Sequence, residues 1–176
     1  ETLARNRQEA LTAFLEYRRS AVREGDSGPI REFLFPGGSD PLRTRNLMTL
    51  LAAQGIEIKV AREELRNART RDYYGGAELA RAFPAGTFVV SLAQPQKRLA
   101  HVLLVQHQEM SPEFLQEQKR RYHRREDTDF YDLTGWSLPL LYDVEAYSAG
   151  DVSQGRLERV DPTTLTSPLR QDLTLR

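Results

Sequence analysis

Residues 30–60 read IREFLF-PGGSD-PLRTRNLMTLLAAQG-IEIKV: a short apolar segment, a turn, a helical segment and a second short segment. The first six residues, 30–35, are typical of a β-strand, and residues 56–60 alternate between apolar and charged side chains as a half-buried strand does. Between them, Pro41 suits the first position of a helix, and Gly55 suits the position just after its end. A strand, a helix and a strand at this spacing favour parallel pairing with a right-handed crossover.

The rest of the chain adds further elements around this unit. Apolar residues recur at helical spacing over residues 2–24, with Leu11, Phe14 and Leu15 on the apolar face. We expect an α/β fold with three layers, in which helices flank a small, mainly parallel sheet that is amidotransferase-like or Rossmann-like in outline. The expected strands are about 30–35, 56–60, 87–92 and 140–147. Further helices are expected from Pro95 onward and over 112–124. Residues 62–78 are expected to form a short helix or an irregular strand, followed by a loop.

The predicted division of the chain has three parts. Residues 1–28 form an N-terminal helix that links to a preceding catalytic domain, residues 29–149 form the α/β domain, and residues 150–176 form an extended tail or linker. The chain starts at Glu1 in an apparently helical pattern and without an initiator methionine, so we expect it to be a piece of a longer protein.

Composition excludes several classes of function. The 25 Lys and Arg balance the 25 Asp and Glu, so no overall field attracts nucleic acid or an anionic membrane. The absence of cysteine excludes disulfides, thiolate metal sites and cysteine nucleophiles. No apolar run approaches the roughly 20 residues that a membrane-spanning helix needs, and no signal peptide is visible.

One turn and one aromatic residue are the candidate ligand-binding positions. Gly37, Gly38 and Ser39 lie between a strand and a helix, where free backbone amides can bind an anion. The simpler interpretation is a capped turn, with Ser39 or Asp40 as the N-cap and glycines that supply positive φ angles. Trp136 is the only tryptophan and could contribute an aromatic surface for a ligand, although such residues more often close a core.

A metal site is not expected. His123 and Glu126 match the His-x-x-Glu spacing of zinc ligands, but a zinc site needs a third protein ligand and no histidine follows His123. The surrounding basic run, 119–125, would repel a metal dication. The same run could contact nucleic acid, but three acidic residues follow it closely, which favours a solvated helix end.

Four segments together resemble a known family. They are FLEYRRS at 14–20, LLAAQGIEI at 50–58, PAGTFVVSLAQP at 84–95 and YDLTGWSLPL at 131–140. In this order they resemble the region that follows the catalytic domain in large bacterial zinc carboxypeptidase-like proteins of the carboxypeptidase A type. The resemblance covers roughly residues 1–147, and the last two segments are its most specific part.

The resemblance implies a role without catalysis for this chain. The family hydrolyses peptides with a zinc-bound water held by a His-x-x-Glu pair and a distant third histidine, and none of these residues can be assigned here. We therefore expect an accessory domain that packs on the peptidase domain, could shape substrate access, and could bind peptide or carbohydrate. The parent protein would be a secreted or otherwise extracytoplasmic zinc carboxypeptidase; this chain itself would hold no cofactor and bind no nucleic acid. The alternative is a free-standing module that binds a small anion or carbohydrate.

Overall fold

The computed structural model describes residues 6–38, 40–107, 110–129 and 137–166. Within these ranges the chain forms six helices and seven strands. The helices are α1 (Arg7–Ser27), α2 (Pro41–Ala53), α3 (Lys97–Leu104), α4 (Pro112–His123), α5 (Leu138–Leu141) and α6 (Pro162–Thr166). The strands are β1 (Glu32–Phe35), β2 (Lys59–Ala61), β3 (Leu65–Asp72), β4 (Leu79–Phe83), β5 (Phe88–Ser91), β6 (Tyr147–Ala149) and β7 (Leu157–Arg159).

The seven strands form one curled sheet in the order β4-β3-β6-β1-β5-β2-β7. Every pair of neighbouring strands is antiparallel. The prediction of a mainly parallel, three-layer sheet is therefore wrong. The sheet is a half-barrel with helices packed against it.

The error has a specific cause in the order of the strands. β1 and β2 both pair antiparallel with β5, so they run in the same direction, as the strand-helix-strand pattern predicts. However, β5 lies between them, and they never pair with each other. A crossover helix fixes the relative direction of two strands, but it does not require them to be neighbours.

Apolar side chains on the two faces of the sheet form two cores. Phe33 and Phe35 of β1 point toward the helices, where they meet Leu47 and Leu51 of α2 and other buried residues. Leu34 points to the opposite face, with a smaller cluster of Ala61, Leu65, Phe83, Val89, Tyr147 and Ala149. All four residues of β1 are buried because the strand has neighbours on both sides and cores on both faces.

Helix α1 packs on the rest of the domain only through its C-terminal half. Ala21 and Gly25 are its buried residues. A Cβ atom at Gly25 would lie 1.8 Å from the carbonyl oxygen of Leu92, so the helix backbone contacts the end of β5 directly. Arg98 of α3 donates to the carbonyl oxygen of Tyr17 at 2.6 Å and stacks on the Tyr17 ring. Residues 6–17 are exposed, including Leu11, Phe14 and Leu15 of the apolar face.

The C-terminal part of the described chain completes the sheet. A strand over 140–147 was expected, but Ser137 and Pro139 begin the short helix α5, where proline is favoured in the first turn. The strand comes later, as β6, which inserts between β1 and β3. β7, within the predicted tail, pairs with β2.

A buried tyrosine connects the sheet to the helices. Tyr73 follows β3, and its hydroxyl group donates to the carbonyl oxygen of Leu104 at 2.7 Å. The same oxygen lies 2.5 Å from Oγ of Ser137. These contacts join the end of β3 to the end of α3 and the start of α5.

Candidate functional site

A cavity lined by arginines is the clearest candidate site. It has a volume of about 580 Å³ and lies between the β3–β4 hairpin and the loop that follows β6. Its lining residues are Arg31, Arg66, Asn67, Ala68, Ala80, Arg81, Ala82, Asp151, Val152 and Gln154. Three arginines and one aspartate, Asp151, are therefore among the lining residues.

The loop that follows β6 closes one side of the cavity and is held by buried polar contacts. The side-chain amide of Asn67 donates to the carbonyl oxygen of Asp151 at 2.8 Å and to Oγ of Ser153 at 3.1 Å. The backbone amide of Ser153 donates to Oε2 of Glu32 at 2.9 Å, and Glu32 is only 2% exposed. These bonds explain why polar side chains point to this face of the sheet, since a buried polar group is costly unless it is hydrogen-bonded.

Arg81, on β4, is fixed by an aromatic ring. Its guanidinium carbon lies 5.1 Å from the centre of the Tyr147 ring, within the range of a cation–π contact. Tyr147 is itself held by an edge contact with Phe83 and by donation to Oε1 of Glu145 at 2.9 Å. Burial raises the pKa of the Tyr147 hydroxyl, so it stays protonated and neutral beneath the arginine. Nε of Arg81 is buried and has no hydrogen-bond partner among the described residues.

Arg31 and Arg66 approach the cavity from other elements. Arg31 precedes β1 and donates through Nη2 to Oδ1 of Asp26 at 2.7 Å, but its Nε is buried without a partner in the described part of the chain. Arg66 lies on β3 at the rim, with its side chain 78% exposed and 3.1 Å from Glu64. An exposed pair of this kind contributes little to stability, so Arg66 keeps the freedom to turn toward a ligand.

The chemistry of these residues suits the binding of an anion. Arginine stays protonated in proteins and offers a planar fork of N–H donors that matches a carboxylate or a phosphate. The described lining residues include no histidine, serine or cysteine that could act as a nucleophile or a proton shuttle. The arrangement can hold an oxyanion.

The predicted ligand-binding turn lies elsewhere. Gly37 and Gly38 have φ angles of +82° and +46°, the left-handed region that glycine adopts easily. Asp40 caps α2 by accepting from the amides of Leu42 and Arg43 at 3.1 and 3.0 Å, so it occupies two of the free amides there. A Cβ atom at Gly38 would lie 2.7 Å from Oε2 of Glu145.

Two of the predicted ligand-binding residues, Ser39 and Trp136, lie outside the described residues. Ligand binding by Gly37, Gly38, Ser39 and Trp136 therefore stays a prediction.

The His-x-x-Glu pair does not form part of a metal centre in the described residues. His123 is the last residue of α4, and Glu126 follows the helix with Arg124 4.0 Å from its carboxylate. Among residues 6–38, 40–107, 110–129 and 137–166 there is no group of three or more His, Cys, Asp and Glu side chains that could hold a metal ion.

Sequence reasoning missed the cavity because its residues fall in segments without an apolar signal. Residues 62–78 were expected to be a short helix or an irregular strand followed by a loop. Residues 65–72 form strand β3, whose register shifts between Asn67 and Thr70, so the second alternative is confirmed. A usable signal was present in β4, where Leu79, Arg81 and Phe83 alternate with Ala80 and Ala82. In a strand, alternate residues share a face, which places Arg81 beside Phe83 on the inner side of the sheet.

Comparison with known proteins found no match: no family model, no curated protein and no solved structure matches this chain. The resemblance to the region after the catalytic domain of zinc carboxypeptidases stays a prediction from the sequence. Among the described residues, no helix has the length and apolar character needed to cross a membrane.

Proposed function

We propose that this chain is a non-catalytic accessory domain of a secreted zinc carboxypeptidase-like protein. In that protein it would pack against the peptidase domain and border the path of the substrate. Zinc and the hydrolytic residues would belong to the peptidase domain. The family-like segments at 84–95 and 131–140 support this proposal from the sequence.

The exposed apolar face of α1 is the structural observation that supports a packing role. Leu11, Phe14 and Leu15 follow the i, i+3, i+4 spacing of one helical face, and they are 62%, 53% and 51% exposed. Residues 6–17 are all exposed, and among them Tyr17 contacts Arg98 of α3. A helical segment gains most of its stability from packing its apolar face, and contiguous exposed apolar residues mark interaction surfaces. Burial of this apolar face against a neighbouring domain would be more favourable than its exposure to water.

The first test combines gene and zinc content. The open reading frame that contains this chain should encode a His-x-x-Glu pair and a later histidine upstream of Glu1. The purified product of that reading frame should bind zinc and release C-terminal residues from peptides, while the isolated 176-residue chain should do neither. Stoichiometric zinc and carboxypeptidase activity in the isolated chain would contradict the proposal.

The second test concerns the apolar face itself. Leu11→Ser with Leu15→Ser should lower the melting temperature of the peptidase domain in the complete protein, as measured by differential scanning calorimetry. The same variant should leave the isolated chain unchanged, because these side chains are already in water. Ala13→Ser, on the opposite and also exposed side of α1, is the matched control. Equal melting temperatures for the Leu variant and the control in the complete protein would show that the face is not an interface.

A free-standing binding module is the second candidate, and the arginine-lined cavity favours it. The cavity, rather than the turn at 37–39, would then be the ligand site. A short gene starting near Glu1, with no peptidase domain, would favour this function over the first.

A further inference from the structure

Strand β4 forms one edge of the sheet in the described part of the chain, so one of its two sides has no neighbouring strand there. On the far side of β3, the backbone groups of Arg66 and Gln154 exchange two hydrogen bonds of 2.9 and 2.8 Å. Alternate residues of an antiparallel ladder direct their backbone groups to opposite sides. Arg81 therefore bonds to β3, whereas Ala80 and Ala82 direct their N–H and C=O groups away from the sheet.

The other edge of the described sheet, β7, is protected in ways that β4 is not. β7 has three residues, and two of them are charged. Glu158 pairs with Arg62 at 2.7 Å, and Arg159 lies 3.4 Å from Glu57. Short, charged edge strands of this kind hinder pairing with another chain. β4 has five residues and a single charge, that of Arg81, so its backbone is better suited to accept a further strand.

We propose that β4 binds an extended, acidic peptide segment of a partner protein, which joins the sheet at its free edge as an antiparallel strand. Strand addition takes its affinity from main-chain hydrogen bonds and its specificity from alternate side chains. Ala80 and Ala82 provide two N–H and two C=O groups for such bonds. Both alanines are exposed, so the added strand can reach their backbone groups. The antiparallel direction matches that of the other neighbouring strands in the described sheet.

Arg81 makes the expected peptide acidic. Its guanidinium carbon lies 5.1 Å from the centre of the Tyr147 ring, on the face of the sheet that also carries Phe83. Arg81 has no ion pair among the described residues. The residue of an added strand that lies opposite Arg81 would have its Cβ atom about 4.5–5.5 Å away, where opposite charges attract and like charges repel. An aspartate or glutamate at that position complements the guanidinium charge.

The same arginine disfavours a second copy of this chain as the occupant of the edge. Two copies could pair their β4 strands around a twofold axis, with Ala80 of each copy bonded to Ala82 of the other. In that register the Arg81 side chains of the two copies lie directly opposite each other on one face. Like charges in this position are destabilising, so the edge favours a different chain over its own copy.

The neighbours of Arg81 in β4 indicate the rest of the peptide pattern. Leu79 and Phe83 share its face, because alternate residues of a strand point the same way, and Leu79 is 53% exposed. Apolar peptide residues two positions before and after the acidic one would lie opposite these two side chains. The other face of β4 carries the small side chains of Ala80 and Ala82, which leave room for varied residues between. The expected pattern is apolar, any, acidic, any, apolar.

The test is titration of the 176-residue chain with acetyl-TVTETVT-amide, which has this pattern, followed by nitrogen–proton correlation NMR. We expect saturable shifts that are largest for the amides of residues 79–83. Acetyl-TVTKTVT-amide places a cation opposite Arg81 and should bind at least about threefold more weakly. The first peptide with N-methyl groups on the two threonines beside its glutamate keeps every side chain but loses two N–H donors. It should bind about tenfold more weakly or worse.

Substitutions in β4 locate the binding. Ala82→Pro removes an outward N–H without removing a bond to β3, and it should weaken binding about tenfold or more. Ala82→Thr keeps the N–H and suits a strand, so this matched control should bind nearly as tightly as the unaltered chain. Arg81→Glu should reverse the preference, so that the lysine peptide binds more tightly than the glutamate peptide. This reversal decides the question if Ala82→Pro does not fold.

The proposal does not depend on a peptidase domain, so its failure would leave the accessory role open. It is overturned if the glutamate peptide does not bind saturably, if its N-methylated form binds as tightly, or if Arg81→Glu keeps the preference for the acidic peptide. Analytical ultracentrifugation covers the other occupant. Dimerisation of the unaltered chain that Ala82→Pro abolishes would assign the edge to a second copy and would equally contradict the proposal.

Discussion

At the scale of single residues, Tyr73 shows how a polar atom can connect two layers of the molecule. Its ring is buried in the core between the sheet and the helices, and its hydroxyl group contacts Leu104 and Ser137. The three residues are far apart in the sequence, so the contact forms only when the fold is complete. The two contacts of the Tyr73 hydroxyl therefore depend on the tertiary structure and not on any single helix or strand.

Removal of this hydroxyl should destabilise the domain. Tyr73→Phe keeps the ring but removes a buried hydrogen-bond partner from the Leu104 carbonyl oxygen and the Ser137 hydroxyl, which should lower the free energy of unfolding by about 1–3 kcal/mol. Urea denaturation followed by circular dichroism measures the change. Tyr122→Phe, at a position that is 74% exposed, is the matched control and should be close to neutral. Equal effects of the two variants would mean that the buried hydroxyl contributes nothing.

The same residue should make stability depend on pH in the alkaline range. Burial raises the pKa of Tyr73 from 10.0 to about 12. The folded state holds the proton more tightly than the unfolded state, so this contribution to stability is complete below about pH 10 and is lost between about pH 10 and pH 12.

Tyr74 and Tyr147 also have raised pKa values, so the pH dependence of the unaltered chain alone does not isolate Tyr73. The contribution of Tyr73 is obtained by comparing the unaltered chain with the Tyr73→Phe variant. The difference in free energy of unfolding between the unaltered chain and Tyr73→Phe should shrink as the pH rises through this window. A difference that stays constant from pH 8 to pH 11 would contradict the assignment.

At the scale of elements, the sequence predicted where helices begin, but it did not predict which strands are neighbours in the sheet. Asp40 and Pro41 start α2, and α4 begins at Pro112, both as expected, because helix starts depend on local capping. The shared direction of β1 and β2 also follows from the sequence. The insertion of β5 between them does not, since it depends on side-chain packing between segments about 30 to 60 residues apart.

The hairpin β3–β4 was the element least accessible to sequence reasoning. Its inward positions include Asn67, Thr70 and Arg81, which are polar and break the apolar alternation that identifies a strand. Their polarity is explained only by partners on the distant loop after β6 and by the Tyr147 ring. For the same reason the arginine-lined cavity could not be predicted, although the alternation of residues 79–83 was visible.

The close approach of α1 to β5 gives a prediction at this scale. In a helix, replacement of glycine by alanine usually stabilises by about 0.5–1 kcal/mol. Gly25→Ala should do the opposite, because its Cβ atom would collide with the backbone of Leu92. Overpacking of this kind costs about 1–3 kcal/mol, and the melting temperature should fall. Arg19→Ala, on an exposed part of the same helix, is the control; a Gly25→Ala variant at least as stable as the unaltered chain would show that α1 does not pack this closely.

At the scale of the whole molecule, the protection of backbone amides from hydrogen exchange should be strongest in the central strands and weakest in the edge strands. β1, β5 and β6 have neighbours on both sides, whereas β4 and β7 lie at the edges of the sheet among the described strands. In hydrogen–deuterium exchange followed by mass spectrometry, peptides from β1 and β5 should exchange slowest, and peptides from β4, β7 and residues 7–17 fastest.

The first half of α1 is the informative part of that measurement. Its side chains are exposed, so its amides should exchange rapidly in the isolated chain. Protection of residues 7–17 as strong as that of β1 would mean that this segment is covered in solution, for example by a second copy of the chain. Dilution of the sample would then restore fast exchange.

The position of β6 has a consequence for how the protein can be synthesised. This strand has three residues, Tyr147–Ala149, yet it is the one that joins the β3–β4 hairpin to the rest of the sheet. On the ribosome, the hairpin emerges long before β6 and has no partner strand until residues 147–149 have left the exit tunnel. The domain therefore cannot complete its sheet during most of its translation, and a nascent chain truncated before Tyr147 would expose the unpaired edges of both β1 and β3 to chaperones and proteases.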